Sequence, residues 1–481
     1  MASQEFDCLA FTQRIEALEQ QQRSIQEAVQ RLECYLEQLI QLNSLQNGDE
    51  SALLASEKPQ SLASIVVETE VDLLPFLQPL SSEELLQRVR NGEREFSGVN
   101  LKGLDLNRWD LKKQSTIHLG SINLSQANLE EADLEGVYLS GSNLSGACLR
   151  KANLTKVNLS GADLSGVDLR EADLFGANLE RVNLTGANLT GANLMGAKLV
   201  DTNLATANLT KAILIRADLR LSNAKHANFK DANLTRANLR GLSDEQNKTI
   251  NLRGANFEGV ILQQVLYDEK TRFPPGIDPI AAGAFYIAPA VNLENADLSE
   301  ADLTYANLSG ANLQGANLSR VKLHQANLSN ANLQNASLSE PDLGNVKLSG
   351  ADLRGCNLEG FNPRGTCLDL SGANLSGVKL IGIQMWGAKL QGANFSKANL
   401  SQAYLDSNLK GVNFSEAILA GANLYRAELN GSNLRNADLS GALLTYADLR
   451  GADFSGANLN GVDFKEAKLT GATMPDGRVH E

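Results

Sequence analysis

An all-β solenoid with an N-terminal α-helical coiled coil is the architecture predicted by this 481-residue sequence. Three observations carry that prediction. A five-residue repeat runs from Phe96 to Met474, a heptad stripe runs over residues 5–46, and aromatics are only 5% of the chain, as a narrow core of slim side chains requires.

The first element, residues 1–50, reads as a helix. Its a positions are Cys8, Ile15, Gln22, Val29, Leu36 and Asn43, and its d positions are Phe11, Leu18, Ile25, Leu32, Leu39 and Gln46. Apolar residues held in that register over more than five heptads predict a coiled coil. Phe11, Ile15, Leu18, Ile25, Val29, Leu32, Leu36 and Leu39 are its candidate oligomerisation residues. β-branched residues at a with Leu at d lean toward a parallel dimer. The wider stripe at Tyr35, Ile40 and Leu42 leaves a trimer open, and packing of the helix on its own solenoid is the alternative.

Residues 51–80 read as a linker, with Pro59, Pro75 and Pro79 and two apolar patches, Leu62 to Val67 and Leu73 to Leu77. The patches could serve a partner or lie down on the first coils. Residues 81–92 read as a capping helix. Ser81-Ser82-Glu83-Glu84 suits a helix start and Gly92 its end, and the helix would cover the open end of the solenoid.

The repeat segments are 93–241 and 292–474. Each five-residue unit has a large apolar centre, a small residue two positions earlier, Asn or Asp between them, and a turn-forming pair after. Ala187-Asn188-Leu189-Thr190-Gly191 shows the pattern. Of 69 central positions, 67 hold Leu, Phe or Met, the exceptions being Thr116 and Ala224. Residues two apart share a face of extended chain, so the small residue and the Leu point inward while the Asn points outward. The remaining pair must turn the chain. Four such corners close a square of about 20 residues, and successive squares stack roughly 4.8 Å apart as parallel strands. One side cannot bury its own apolar face, so neighbours must stack.

The pattern lapses over 242–291, where only Leu252, Phe257 and Leu262 keep it and Thr271-Arg272-Phe273-Pro274-Pro275-Gly276 interrupts. An insertion loop is expected there. Shorter breaks fall between Leu111 and Leu119, from Phe361 to Leu368, and between Leu405 and Leu409. Pro341, at an inward small position, lacks an N–H and is expected to weaken the ladder locally. Residues 475–481 form a short tail.

The A(D/N)LxG units closely resemble those of the pentapeptide-repeat family, over about four-fifths of the chain. That resemblance implies a right-handed quadrilateral β-helix. The stretch Leu85-Leu86-Gln87-Arg88-Val89-Arg90-Asn91-Gly92-Glu93-Arg94-Glu95-Phe96 and the ending Met474-Pro475-Asp476-Gly477 resemble cyanobacterial members, which implies a cyanobacterial source.

Charge and chemistry narrow the function. Residues 1–92 carry 6 Lys/Arg against 15 Asp/Glu, and residues 93–481 carry 37 against 41. The nearly neutral repeat region argues against direct nucleic-acid binding, which needs a basic surface. Five Cys and four His show no disulfide or zinc spacing,. Asp163, Asp168 and Asp173 owe their spacing to the repeat and should fall on three different sides. No nucleophile motif or phosphate loop occurs, and a filled solenoid offers no deep pocket. No enzyme, cofactor or metal site is expected. The N-terminus shows no signal-peptide pattern and no apolar run has membrane-spanning length, so a cytoplasmic protein is expected.

Two exposed rows stand out at 20-residue spacing. Phe175, Met195 and Ile215 should form an outward apolar stripe, with Val200 and Leu221 on the neighbouring side. Trp386, Tyr404, Tyr425 and Tyr446 should fall on one side of four successive coils. Such rows mark protein interfaces, although the insertion or linker could cover the first and self-stacking could explain the second. The expected function is a non-enzymatic scaffold or regulatory protein that binds partner proteins through the β-helix and forms a dimer through its N-terminal helix. The family resemblance supplies the alternative, a DNA-mimicking, gyrase-binding protein.

Overall fold

The computed structural model describes residues 79–106, 119–241, 249–361 and 367–481. The expected coiled coil, with its residues Phe11 to Leu39, and the expected linker up to residue 78 lie outside the described residues. The chain divides into two compact units. Unit 1 takes in the described residues up to Leu239, Thr249–Gln263 and Thr271–Ala282, and unit 2 takes in Arg240, Gly241, Gln264–Lys270 and Gly283–Glu481.

Unit 1 opens with helix α1 (Ser82–Arg90), whose N-cap Ser81 accepts from the Glu84 N–H. Its buried face carries Leu85, Leu86 and Val89. The Leu80 N–H donates to Asn100 O at 2.9 Å, and Ser82 Oγ donates to Asp105 O at 2.7 Å. Phe96, Leu101, Leu106 and Leu119 form the four sides of that coil, their N–H groups donating to Asn123, Asn128, Asp133 and Tyr138. The counted centres Leu111 and Thr116 lie outside the described residues.

From there the chain winds as parallel four-sided coils. One side carries the ladder Asn143–Asp163–Asn183–Asn203 and the next Cys148–Asp168–Asn188–Asn208, all parallel. The pentad Ala187–Gly191 satisfies all five of its N–H groups. Ala187 N–H donates to Leu184 O across the corner, Asn188 to Val167 O in the coil below, and Leu189 to Asn208 O in the coil above. Gly191 donates upward to Thr210 O, and the Thr190 N–H goes to Asn188 Oδ1. The Asn is therefore more than an outward polar residue. It closes an Asx turn that satisfies a donor no ladder can reach. The last corner position takes the left-handed conformation, which glycine adopts without strain: Gly191 has φ +67° and Lys211, without that freedom, φ +58°,.

Within the segment where the sequence pattern lapses, residues 249–263 make three further sides of unit 1. Asn223–Asn251, Asn228–Asn256 and Asn233–Ile261 continue the ladders. Phe257 packs edge-on between Phe229, at 5.1 Å, and Phe273, at 6.3 Å.

In unit 2, β1 (Leu266–Tyr267) pairs in parallel with β2 (Phe285–Tyr286), and coils then run to Met474. Breaks in the sequence frame are absorbed at corners. Asp352 pairs with Asn374 across two extra residues, and Asn394 pairs with Asn413 across one missing residue. Ser407 Oγ donates to Met385 O at that deletion. At Pro341 the lost bond is the corner bond. The ladder survives on both sides, through Asp342 N–H to Val321 O and Glu340 N–H to Glu359 O. The expected local weakening of the ladder is thus a weakening of one corner. The C-terminal residues fold back antiparallel, with Thr473 facing Val479.

Candidate interaction surfaces

No described group of His, Cys, Asp or Glu could hold a metal ion. Asp163, Asp168 and Asp173 sit on three separate ladders, so their carboxylates do not converge. A cleft of about 650 Å³ opens in unit 2 where coils 355–361 and 377–384 separate, lined by Cys356, Leu358, Phe361, Val378, Leu380 and Ile383 among others. Cys356 Sγ donates to Leu333 O at 2.9 Å, and burial pushes its thiol up to about 12. It therefore stays protonated at neutral pH and is no nucleophile.

The outward faces carry the distinctive chemistry. In unit 1, Phe175, Met195 and Ile215 each follow a central Leu along the ladder Asp173–Asn193–Ile213–Asn233. Their carbonyls accept from Lys156, Gly176 and Gly196 in successive coils, so they stand one above another. Phe175 is exposed, and Met195 and Ile215 are half-buried. Two residues missed by the sequence reading join them. Ile213 and Ile261 occupy Asn positions on this same ladder and are exposed. The signal that could have found them was an Ile where the pattern demands Asn. Lys156, Arg216 and Arg236 stand at the left-handed corner beside this face. Val200 is half-buried on the neighbouring side, where Leu221 takes a left-handed corner with φ +62°.

In unit 2, the ladder Gln384–Tyr404–Asn423–Leu443 places Trp386, Tyr404, Tyr425 and Tyr446 on one side of four successive coils. They do not form a straight column. Tyr404 occupies the Asn position, Trp386 and Tyr425 follow their central residues, and Tyr446 takes the corner with φ +61°. Tyr425 and Tyr446 meet edge-on at 5.9 Å, with the Arg426 guanidinium 5.1 Å from the first ring and 6.0 Å from the second. Trp386, Tyr404 and Tyr446 are exposed and Tyr425 is half-buried. Ile381 and Ile418 are exposed on the adjacent side.

Elsewhere on the coils, several charges are paired between neighbouring coils. Lys102 and Arg150 both reach Glu130, Lys230 reaches Glu258, Arg320 reaches Glu300 and Arg435 reaches Asp453. Burial would raise the Glu130 carboxyl, but the hydrogen bonds from Lys102 and Arg150 outweigh it and hold it below its usual range. Asp-Leu-Arg pentads add a fork in which the Arg grips the Asp two residues before it. Arg354 lowers Asp352 in this way, and Arg450 holds Asp448 well below the carboxylate range.

Comparison with known proteins follows the repeat. The family model for pentapeptide repeats matches residues 119–155, 152–191, 162–201, 202–241, 290–320, 322–360, 369–406, 407–445 and 437–474, more than half of the chain. No curated protein matches it. Among solved structures, the chain is similar to HetL, a pentapeptide repeat protein involved in heterocyst differentiation regulation from the cyanobacterium Nostoc sp. strain PCC 7120. The identity is 26%, covering 84% of this chain and 100% of that one, with a TM-score of 0.15. It is also similar to QnrB1, a plasmid-mediated fluoroquinolone resistance protein, at 17% identity over 40% of this chain and 91% of that one, with a TM-score of 0.19. A third is a pentapeptide repeat protein from the Arabidopsis thaliana thylakoid lumen, at 35% identity over 21% and 66%, with a TM-score of 0.14. At these scores the superpositions carry no argument, and the assignment rests on the repeats.

Proposed function

Because the chain belongs to the pentapeptide-repeat family, we propose that it is a non-enzymatic scaffold or regulatory protein whose right-handed β-helix presents flat faces to partner proteins. The observation that carries this reading is the apolar ladder face of unit 1, where Phe175, Met195, Ile213, Ile215 and Ile261 share one side. Aligned apolar groups beside basic corners suit a partner with an apolar patch and carboxylates at its rim. The aromatic side of unit 2 is a second docking face, since exposed Trp and Tyr bury much area at small entropic cost. The heptad stripe over residues 5–46 supplies a dimer, and a cytoplasmic location and cyanobacterial source remain part of the same proposal.

The gyrase-binding alternative is disfavoured by charge. A duplex mimic needs dense uncompensated negative charge, whereas Lys102, Arg150, Lys230, Arg320 and Arg435 all pair with carboxylates across coils. Paired captures from native lysate test the proposal, using the full chain and a Phe175→Asp/Ile215→Asp variant as baits. A protein held by the first and lost by the second supports docking on this face. Equal recovery by both baits would refute it.

A further inference from the structure

Stacked coils pair their backbone groups side by side, and in unit 2 that pairing lapses at one place. On a regular side, the middle residue of the upper coil both donates to the lower coil and accepts from it. The Asn374 N–H donates to Ala351 O, and Asn374 O accepts from the Leu353 N–H, both at 2.8 Å. The next side of the same two coils should repeat this between Asn357 and Lys379. Among the described residues no bridge joins them, although Asn357 pairs below with Ser337 and Lys379 pairs above with Asn399. The N–H groups of Leu358, Gly360 and Lys379 find no acceptor, and the carbonyls of Cys356 and Lys379 receive no donor, among the described residues. The cleft of about 650 Å³ opens at this gap. Leu358 and Ile383 in its wall are 8% and 9% exposed, whereas Leu353 and Leu375 on the adjoining paired side are fully buried. Unpaired backbone groups beside an apolar wall cost about as much as lost hydrogen bonds, so the gap has the chemistry of a ladder that lacks one strand.

We propose that this gap binds an extended peptide segment of another protein, inserted between the two coils as an additional parallel strand, with a small residue, Asp and a large apolar residue in succession. The unpaired groups dictate each part of that ligand. The N–H of its Asp donates to Cys356 O, and the carbonyl of its Asp accepts from the Leu358 N–H. The next N–H of the peptide donates to Lys379 O, and the carbonyl before its Asp accepts from the Lys379 N–H. An extended backbone offers donors and acceptors in that order on both of its edges. The residues flanking the Asp share the inward face, where Leu358, Phe361, Val378, Leu380 and Ile383 form an apolar wall. The Asp points outward and stacks beneath Lys379, an exposed ammonium at the Asn position of its pentad that makes no ion pair among the described residues. Elsewhere an Asp in this place meets a donor from the coil above, as Asp163 Oδ1 does from Asn183 Nδ2 and Asp438 Oδ1 from Asn458 Nδ2, both at 2.9 Å. Lys379 supplies that donor with a full charge. The site lies within unit 2 and uses no residue of the Phe175 face, so its test and the capture on that face succeed or fail separately.

Hydrogen-exchange mass spectrometry on the full-length protein reads the gap directly. Without ligand, the amides of 354–361 and 377–384 should exchange several-fold faster than those of the paired segments 328–333 and 396–405. A blocked peptide, Ser-Gly-Ala-Asp-Leu-Ser-Gly, should slow both open segments together. Replacing its Asp by Lys should weaken that protection several-fold, and Lys379→Glu should reverse the preference, with the circular dichroism unchanged because position 379 points outward. Slow exchange of 354–361 and 377–384 in the ligand-free protein would mean that the ladder is already closed and would overturn the proposal. An open gap in which the peptide protects neither segment, or only one, also overturns it, since an inserted strand must touch both edges. Equal protection by the Asp and Lys peptides in wild type and variant alike overturns the assignment of Asp.

Discussion

Ser432 occupies an inward small position, where most pentads hold Ala or Val. It is 1% exposed, and among the described residues its hydroxyl is the buried side-chain group without a hydrogen-bond partner. Ser142, Thr202 and Ser222 hold the same inward position but donate to Leu119 O, Leu179 O and Leu219 O. A buried hydroxyl without a partner costs roughly 1–3 kcal/mol, whereas one that is bonded contributes about 1 kcal/mol. Ser432→Ala should therefore raise stability by about 1 kcal/mol in urea unfolding, and Ser142→Ala should lower it by a similar amount. A loss of stability at both positions would show that the Ser432 hydroxyl has a partner. Asp448 gives a second test at this scale. Arg450 holds its carboxyl below the usual range in the folded state, while the unfolded chain has the ordinary value of about 3.9. Folding is then favoured by the ionised pair above that value, and the benefit is lost as pH falls through the lower folded value. Asp448→Asn should be less stable than wild type at pH 7, with the gap narrowing steadily below about pH 4. A gap that stays constant on acidification would count against the fork as its source.

At the scale of one side of a coil, the Asn position decides both stability and surface. Where it holds Asn, the side chain accepts the N–H two residues on and donates to its ladder neighbour, as Asn193 Nδ2 does to Asp173 Oδ1 at 2.8 Å. Ile213 forfeits both bonds for an exposed apolar side chain. Ile213→Asn should restore an acceptor for the Ile215 N–H, leaving stability unchanged or raised by about 0.5–1 kcal/mol, while weakening capture of a partner that docks on the Phe175 face. Loss of stability in calorimetry would mean that Ile213 is held by packing. This element also shows what the sequence made legible. The period of five and the Leu centres foretell four-sided stacking, because inward apolar volume is a local property of each pentad. The Asx turn was hidden in plain view, since an outward Asn looks like simple solvation until the backbone N–H groups are counted. Ile213 and Ile261 stand at the Asn position and not after the central Leu, so the spacing of Phe175, Met195 and Ile215 does not reveal them. The ladder role of 249–263 escaped because skipping residues moves the frame without breaking the coil. Pro341 was misplaced for the opposite reason: its N–H belongs to a corner, and only the traced bonds distinguish corner from ladder.

Across the whole molecule, the solenoid separates stability from recognition. Interior Leu and Ala hold neighbouring coils together, so outward positions other than the Asx-turn residue can vary at little cost to the fold. Flat faces bind weakly one at a time, and joining two copies raises effective concentration at any partner with two sites. That is the role the heptad stripe over residues 5–46 would play, and it is the part of the molecule whose function depends most on number of chains. Glutamates at two d positions, Leu18→Glu and Leu32→Glu, would place like charges in the seam of a parallel dimer, where neither can be solvated or paired. Light scattering on the wild-type protein should give twice the chain mass, and the double variant should give the single-chain mass with the β-helix circular dichroism unchanged. Capture of a partner through the Phe175 face should then persist but with faster dissociation, as loss of avidity requires. If wild type and variant scatter with the same mass, the heptads pack within one chain, and partner affinity must come from single faces.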